Sequence, residues 1–170
     1  MIRLALATLL VINSSMVLAS DKACFIAKYD SYVDASLQWY KDLVAITTEQ
    51  NPDLYEAGQW FLDGRKNHFE LNREAVHYFL NNEPSHVKTE RSVESWLLLQ
   101  QSDVKLLSTR TDKLGKVAQK TFNDRQSENH PKNYALRSAF ADLLSHPKNI
   151  EPALAKYNQS IENVENKHCE

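Results

Sequence analysis

Two Glu-x-x-His spacings are the first candidates for chemistry in this chain, Glu74-x-x-His77 and Glu165-x-x-His168. A carboxylate and an imidazole three residues apart share a helix face. Two such pairs on helices running the same way form part of the donor set of metal-carboxylate bundles. The phase opposes that use. Measured from the apolar stripe through Phe69, Val76 and Leu80, Glu74 is rotated by about 140–160° at 100° per residue, so it points away from the core. His168 lies on its own stripe but sits beside Cys169 at the end of the last helix. We therefore expect no metal site. Haem and other cofactors have no support either, since there is no Cys-x-x-Cys-His attachment site and both methionines lie in the first nineteen residues. A glycine-rich phosphate loop, a Cys-x-x-Cys pair and a nucleophile-elbow serine are also absent from the sequence. No spacing singles out a Ser-His-Asp triad. The sequence assigns no catalytic residue and leans against an enzyme.

Two weaker signals concern binding. Gln100 and Thr111 interrupt an otherwise apolar seam. With Trp39 and Trp96 they are candidates for a polar pocket between helices, as a small-molecule sensor or a metal-free helical enzyme would need. The other signal is basic. Lys105, Lys113, Lys116 and Lys120 fall on one face if the segment is a single helix, and Arg110, Arg125 and Lys132 lie near them. Residues 105–132 carry about four net positive charges, whereas residues 21–56 carry about four net negative ones. Such a face suits an acidic protein partner or anionic envelope lipid. The whole chain has a formal charge of −2, which argues against nucleic acid. Binding of a macromolecule, as by an inhibitor, immunity-type protein, chaperone or envelope accessory protein, is the leading functional expectation.

Helices must position these residues. The corners are set by Asn51-Pro52, Glu83-Pro84, His130-Pro131, His146-Pro147 and Glu151-Pro152, because proline lacks an amide donor and disfavours helix in the residue before it. Between corners the apolar spacing is three and four. Ile26, Tyr29, Val33, Leu37, Tyr40 and Val44 mark a first helix, and Leu54, Phe61, Leu62, Phe69, Val76, Phe79 and Leu80 a second. A long third helix, Ser85 to about Ser127, follows the seam Val93, Leu97, Gln100, Val104, Leu107, Thr111, Leu114, Ala118. A fourth, broken at Pro147, carries Leu136, Phe140 and Leu143, then Ile150, Leu154, Tyr157, Ile161 and Val164. No useful stretch alternates with period two. The expected fold is all-α, an antiparallel up-down four-helix bundle in a single domain over residues 20–170. At 1.5 Å per residue the third helix would reach ~63 Å against ~40 Å for the first. Residues 115–140 must then either protrude or bend back near Gly115. Bending back is the expected outcome because it buries Val117, Phe122 and Phe140.

The first nineteen residues read as a secretory signal, with Arg3, an apolar stretch from Leu4 to Leu18 and a small residue, Ala19, before the processing point. The stretch is too short and interrupted to span a bilayer, and no later segment could, so the expected location is periplasmic or secreted. In that oxidising setting Cys24 and Cys169 read as one disulfide. Antiparallel helices bring such distant cysteines to one end only if their number is even, which supports the four-helix count. Asn158-Gln159-Ser160 matches a glycosylation sequon, relevant only in a eukaryotic source.

Overall fold

The structure is a computed structural model that describes the backbone of residues 14–169 and the side chains of residues 21–169. Residues 1–13, the larger part of the expected signal, lie outside the described residues, and the expected processing point after Ala19 falls within the first helix. Among the described residues the chain is all-helical, with α1 (Ser14–Gln50), α2 (Tyr55–Asn82), α3 (Gln101–Leu107), α4 (Lys113–Gln126), α5 (Asn133–Ser145) and α6 (Glu151–Glu165).

The first two helices form an antiparallel hairpin. Tyr29, Val33, Leu43, Val44 and Thr47 place a buried stripe along α1, and Ala57, Phe69, Ala75, Val76, Phe79 and Leu80 answer it from α2. The corner follows from Asn51 and Pro52. The Asn51 amide group donates to the Thr47 carbonyl at 3.1 Å, and proline opens a single tight turn, Pro52–Leu54, where its missing donor costs nothing. Close approach at this end depends on Gly58. A Cβ there would come within 2.7 Å of Val44 Cγ1. At the far end Arg73 pairs with Asp34, and His77 Nε2 lies 2.8 Å from Asp30.

The expected long third helix does not form. After Pro84 the chain runs irregularly to Gln100, with two short turns at Pro84–His86 and Val93–Ser95, and then makes two separate helices, α3 and α4. The break has a local cause and a tertiary reward. Ser108 and Thr109 hydroxyls donate back to the carbonyls of Lys105 and Leu106 at 2.7 and 2.8 Å, a competition that ends helices. Asp112 then caps α4 by accepting from the Gly115 amide at 2.9 Å. Gly115 is required at this corner, since a Cβ would overlap the Arg110 carbonyl oxygen and lie 2.5 Å from its carbon. The reversal lays α4 along α2 and buries Leu114, Ala118 and Thr121. A straight helix would leave these groups beyond the reach of the hairpin. Residues 115–140 therefore fold back as expected, with the bend at Ser108–Asp112 just before Gly115, and Phe140 is buried.

The fourth segment divides at Pro147, as the sequence requires, into α5 and α6 joined by one turn, Pro147–Asn149. Helix α5 packs Leu136, Phe140 and Leu143 beneath the α1–α2 corner, in a cluster with Leu43, Val44, Leu54 and Ile150. Helix α6 returns along α1. Lys156 meets Asp42, Tyr157 packs on Trp39 at 5.5 Å, and Glu165 meets Lys28. This antiparallel return is what brings the cysteines together: Cys24 and Cys169 form a disulfide with a Cα separation of 5.5 Å.

Charge reinforces the closure. Lys28 Nζ donates to the carbonyls of Glu165 and Lys167, both at 3.0 Å, placing a cation at the C-terminal end of α6, where unsatisfied carbonyls concentrate negative potential. Lys28→Met keeps the aliphatic stem and removes the donor. It should lower stability by about 1–2 kcal/mol in urea denaturation. An unchanged midpoint would show that the carbonyls are equally well served by water.

Candidate functional site

The residues anticipated as sites separate in space. Gln100 is exposed and opens α3, where its backbone N–H donates to the Asp103 carboxylate at 2.8 Å. Thr111 is exposed in the α3–α4 corner. Both stand at the surface instead of on an inward-facing seam. The cause is the break in the third segment: the seam positions that a straight helix would turn inward become a helix start and a reversal. Trp39 is half-buried against Tyr157, while Trp96 is fully buried, so these two aromatics serve packing at different places.

Three of the four Glu-x-x-His residues are engaged by the chain itself. Glu74 pairs with Lys113, and His77 with Asp30. Glu165 accepts from the Val93 amide at 2.9 Å, and His168 is exposed. Among the described residues no group of three or more His, Cys, Asp or Glu side chains is arranged to hold a metal ion.

The basic residues fall into two sets. Lys105 lies on α3, and Lys113, Lys116 and Lys120 lie on α4, so they do not share one helix face as a continuous helix would have required. Four of the seven candidates are engaged within the chain. Lys113 pairs with Glu74 and Lys132 with Asp53. Arg110 pairs with Asp112 and covers the Tyr78 ring at 4.2 Å. Arg125 donates to Gln101 Oε1 at 3.2 Å and reaches His68 Nδ1 at 3.3 Å. Lys105, Lys116 and Lys120 are exposed and form no ion pair among the described residues.

A cleft of about 140 Å³ opens where α2, α4 and α5 meet. Helix α2 lines it with Trp60, Phe61, Gly64, Arg65 and His68, whose spacing of one, three and four puts them on adjoining strips of one face. Helix α4 adds Thr121, Asp124 and Arg125, and α5 adds Arg137. The wall is held by Thr121, whose hydroxyl donates to the Asn67 carbonyl of α2 at 2.9 Å. Arg65 lies over the Tyr40 and Phe61 rings at 5.6 and 5.4 Å. Its Nε is closed off from solvent and has no hydrogen-bond partner among the described residues.

The protonation state of His68 follows from its surroundings. Burial, reinforced by Arg65 and Arg125, pushes its pKa down to about 4, so the ring is neutral at pH 7. Arg125 donates to Nδ1, which leaves the ring proton on Nε2. Asn72 lies 3.4 Å from Nε2, and its own Oδ1 is buried without a partner. The positive charge of the cleft thus resides on three guanidinium groups, with Asp124 the one acid among the described residues lining it.

Sequence reasoning singled out Arg125 but missed Arg65, His68 and Arg137 as members of one group. The α2 spacing was legible. That α4 and α5 bring two more arginines to the same face was not, because both approach only after the reversal at Ser108–Asp112. No known protein family, curated protein or solved structure matches this chain.

Proposed function

We propose that the chain is an exported, non-catalytic helical protein that binds an acidic protein partner through the solvent side of α3 and α4. The supporting observation is the pairing of unneutralised charge with exposed apolar side chains. Lys105, Lys116 and Lys120 stand in solvent without ion pairs among the described residues, while Leu106, beside Lys105 on α3, is 71 % exposed and Leu98 is 77 % exposed. Cations speed encounter with an acidic surface, and apolar side chains supply the desolvated contact that holds it. Export is supported by the apolar leader and by the disulfide between Cys24 and Cys169, which persists in oxidising compartments. No helix among the described residues is long and apolar enough to cross a membrane.

Reversing Lys105, Lys116 and Lys120 to Glu tests the reading. The oxidised wild-type chain, immobilised and exposed to envelope and secreted fractions, should retain an acidic protein whose affinity falls steeply with salt. The triple reversal should weaken that binding at least about tenfold. Retention that survives the reversal would overturn the proposal. So would binding to phosphatidylglycerol vesicles without any protein retained, an outcome that makes anionic lipid the partner.

A further inference from the structure

The cleft between α2, α4 and α5 carries a second and separate inference. We propose that it is a binding site for a small, multiply charged oxyanion, a phosphate monoester or a polycarboxylate, held by Arg65, Arg125 and Arg137. The inference does not rest on the α3–α4 surface, and none of its three arginines belongs to the exposed lysine set.

Three observations converge on it. First, three guanidinium groups from three different helices line one small cleft, and among the described residues none of them forms an ion pair with a carboxylate. Like charges gathered without counter-charge repel, and folding tolerates them most readily where an anion can enter. Asp124 offsets one of the three, so the cleft is left with two net positive charges among the described residues that line it. Arginine forks match the planar carboxylate and the tetrahedral phosphate through paired N–H donors, which a lysine ammonium cannot do.

Second, one guanidinium is already held in position. The Arg65 guanidinium is held over the Tyr40 and Phe61 rings. Stacking limits the freedom of the group, so little side-chain order remains to be lost on binding.

Third, the other two arginines are held by weak neutral partners that a stronger acceptor can outcompete. Arg137 Nε donates to Asn133 Oδ1 at 3.1 Å, and Arg125 to Gln101 Oε1 and the neutral His68 ring at 3.2 and 3.3 Å. A charged oxyanion accepts roughly twice as strongly as these groups. The cleft volume, about 140 Å³, suits one phosphate or a few carboxylate groups and not an extended chain. Trp60 forms part of the wall and packs near His130 at 6.0 Å, so occupancy should register on its indole.

The test is a calorimetric titration of the oxidised chain with inorganic phosphate and, separately, with citrate, with chloride as the monovalent control. The Trp60 indole N–H resonance is followed by NMR. Phosphate or citrate should bind saturably and shift that resonance, while chloride should not. Whichever oxyanion binds more tightly identifies the ligand chemistry as phosphate or carboxylate. Arg137→Gln and Arg125→Gln should each weaken binding by at least about tenfold, as expected for loss of a charge-assisted contact. Arg137 is exposed and bonds only within its own helix, so its replacement leaves a folded protein to measure. Lys116→Gln/Lys120→Gln should bind as wild type, which separates this site from the α3–α4 surface. Two results would overturn the proposal: no saturable binding of either oxyanion at millimolar concentration, or equal binding by the arginine variants and wild type.

Discussion

Replacing Cys24 and Cys169 together by serine should lower the free energy of unfolding by up to about 5 kcal/mol. The bridge joins residues 145 apart, so it closes nearly the whole described chain into one loop. Its main action is on the unfolded chain, whose ends it confines; the native contacts of α1 with α6 do not depend on it. Lys28 would still reach the carbonyls of Glu165 and Lys167, and Trp39 would still pack on Tyr157. The double variant should therefore keep its helical content at low denaturant while its thermal midpoint falls by roughly 10–20 °C. Urea denaturation provides a second check. Without the cross-link the unfolded ensemble expands, so the denaturant slope should rise as the midpoint drops. A loss below about 1 kcal/mol would mean that the unfolded ends stay close for another reason.

Trp96→Ala should cost about 3–5 kcal/mol, the range for emptying a large buried aromatic site. Trp96 is 1 % exposed, stacks on Tyr29 at 5.9 Å and meets the edge of Phe25 at 5.7 Å. It also does what no helix does for the irregular stretch between Glu83 and Gln100. Its indole N–H donates to the Arg91 carbonyl at 2.9 Å, and its own carbonyl accepts from the Lys88 amide at 2.9 Å. Backbone groups in a non-helical segment need such partners, because the helical ladder is not there to satisfy them. The variant should lose hydrogen-exchange protection at the Lys88 amide before it loses protection in α1 or α2. Trp96→Phe, which keeps most of the packing and removes the indole donor, should fall between wild type and alanine. If alanine left the Lys88 amide protected, the segment would be held by Val87 and Val93 instead, both of which are buried.

These two expectations share a region. Phe25, Lys28, Trp96 and Glu165 meet close to the disulfide, and Glu165 accepts from the Val93 amide there. The clip between the chain ends therefore also anchors the start of the third segment. The arginine-lined cleft lies instead where α4 and α5 meet α2 near Trp60, and reduction of the bridge need not disturb it directly.

Much of this molecule was legible residue by residue along the chain. The period of three and four placed α1 and α2 and identified Tyr29, Val33, Val44, Val76 and Phe79 as inward-facing, and burial agrees. Proline marked the corner at Pro52 and the division at Pro147 because its effect on the backbone is local. Cysteine content and a leader-like start paired Cys24 with Cys169 without any knowledge of the path between them. The seam through Gln100 and Thr111 misled for a reason of the same kind. An apolar period shows which residues would share a face if a helix formed, but it does not show whether the helix continues. Tertiary packing decided that. Ser108, Thr109 and Asp112 can end a helix as readily as sit in one, and the burial of Leu114, Ala118 and Thr121 against α2 favours the reversal. The same reversal put Lys105 on a different helix from the lysines of α4 and brought Arg125 and Arg137 to Arg65. The sequence by itself thus determined the helical class, the inward faces of α1 and α2 and the bridge, which depend on local period and residue type. The cleft depends on three helices distant in sequence meeting at one point, and only the burial gained by folding back fixes that meeting.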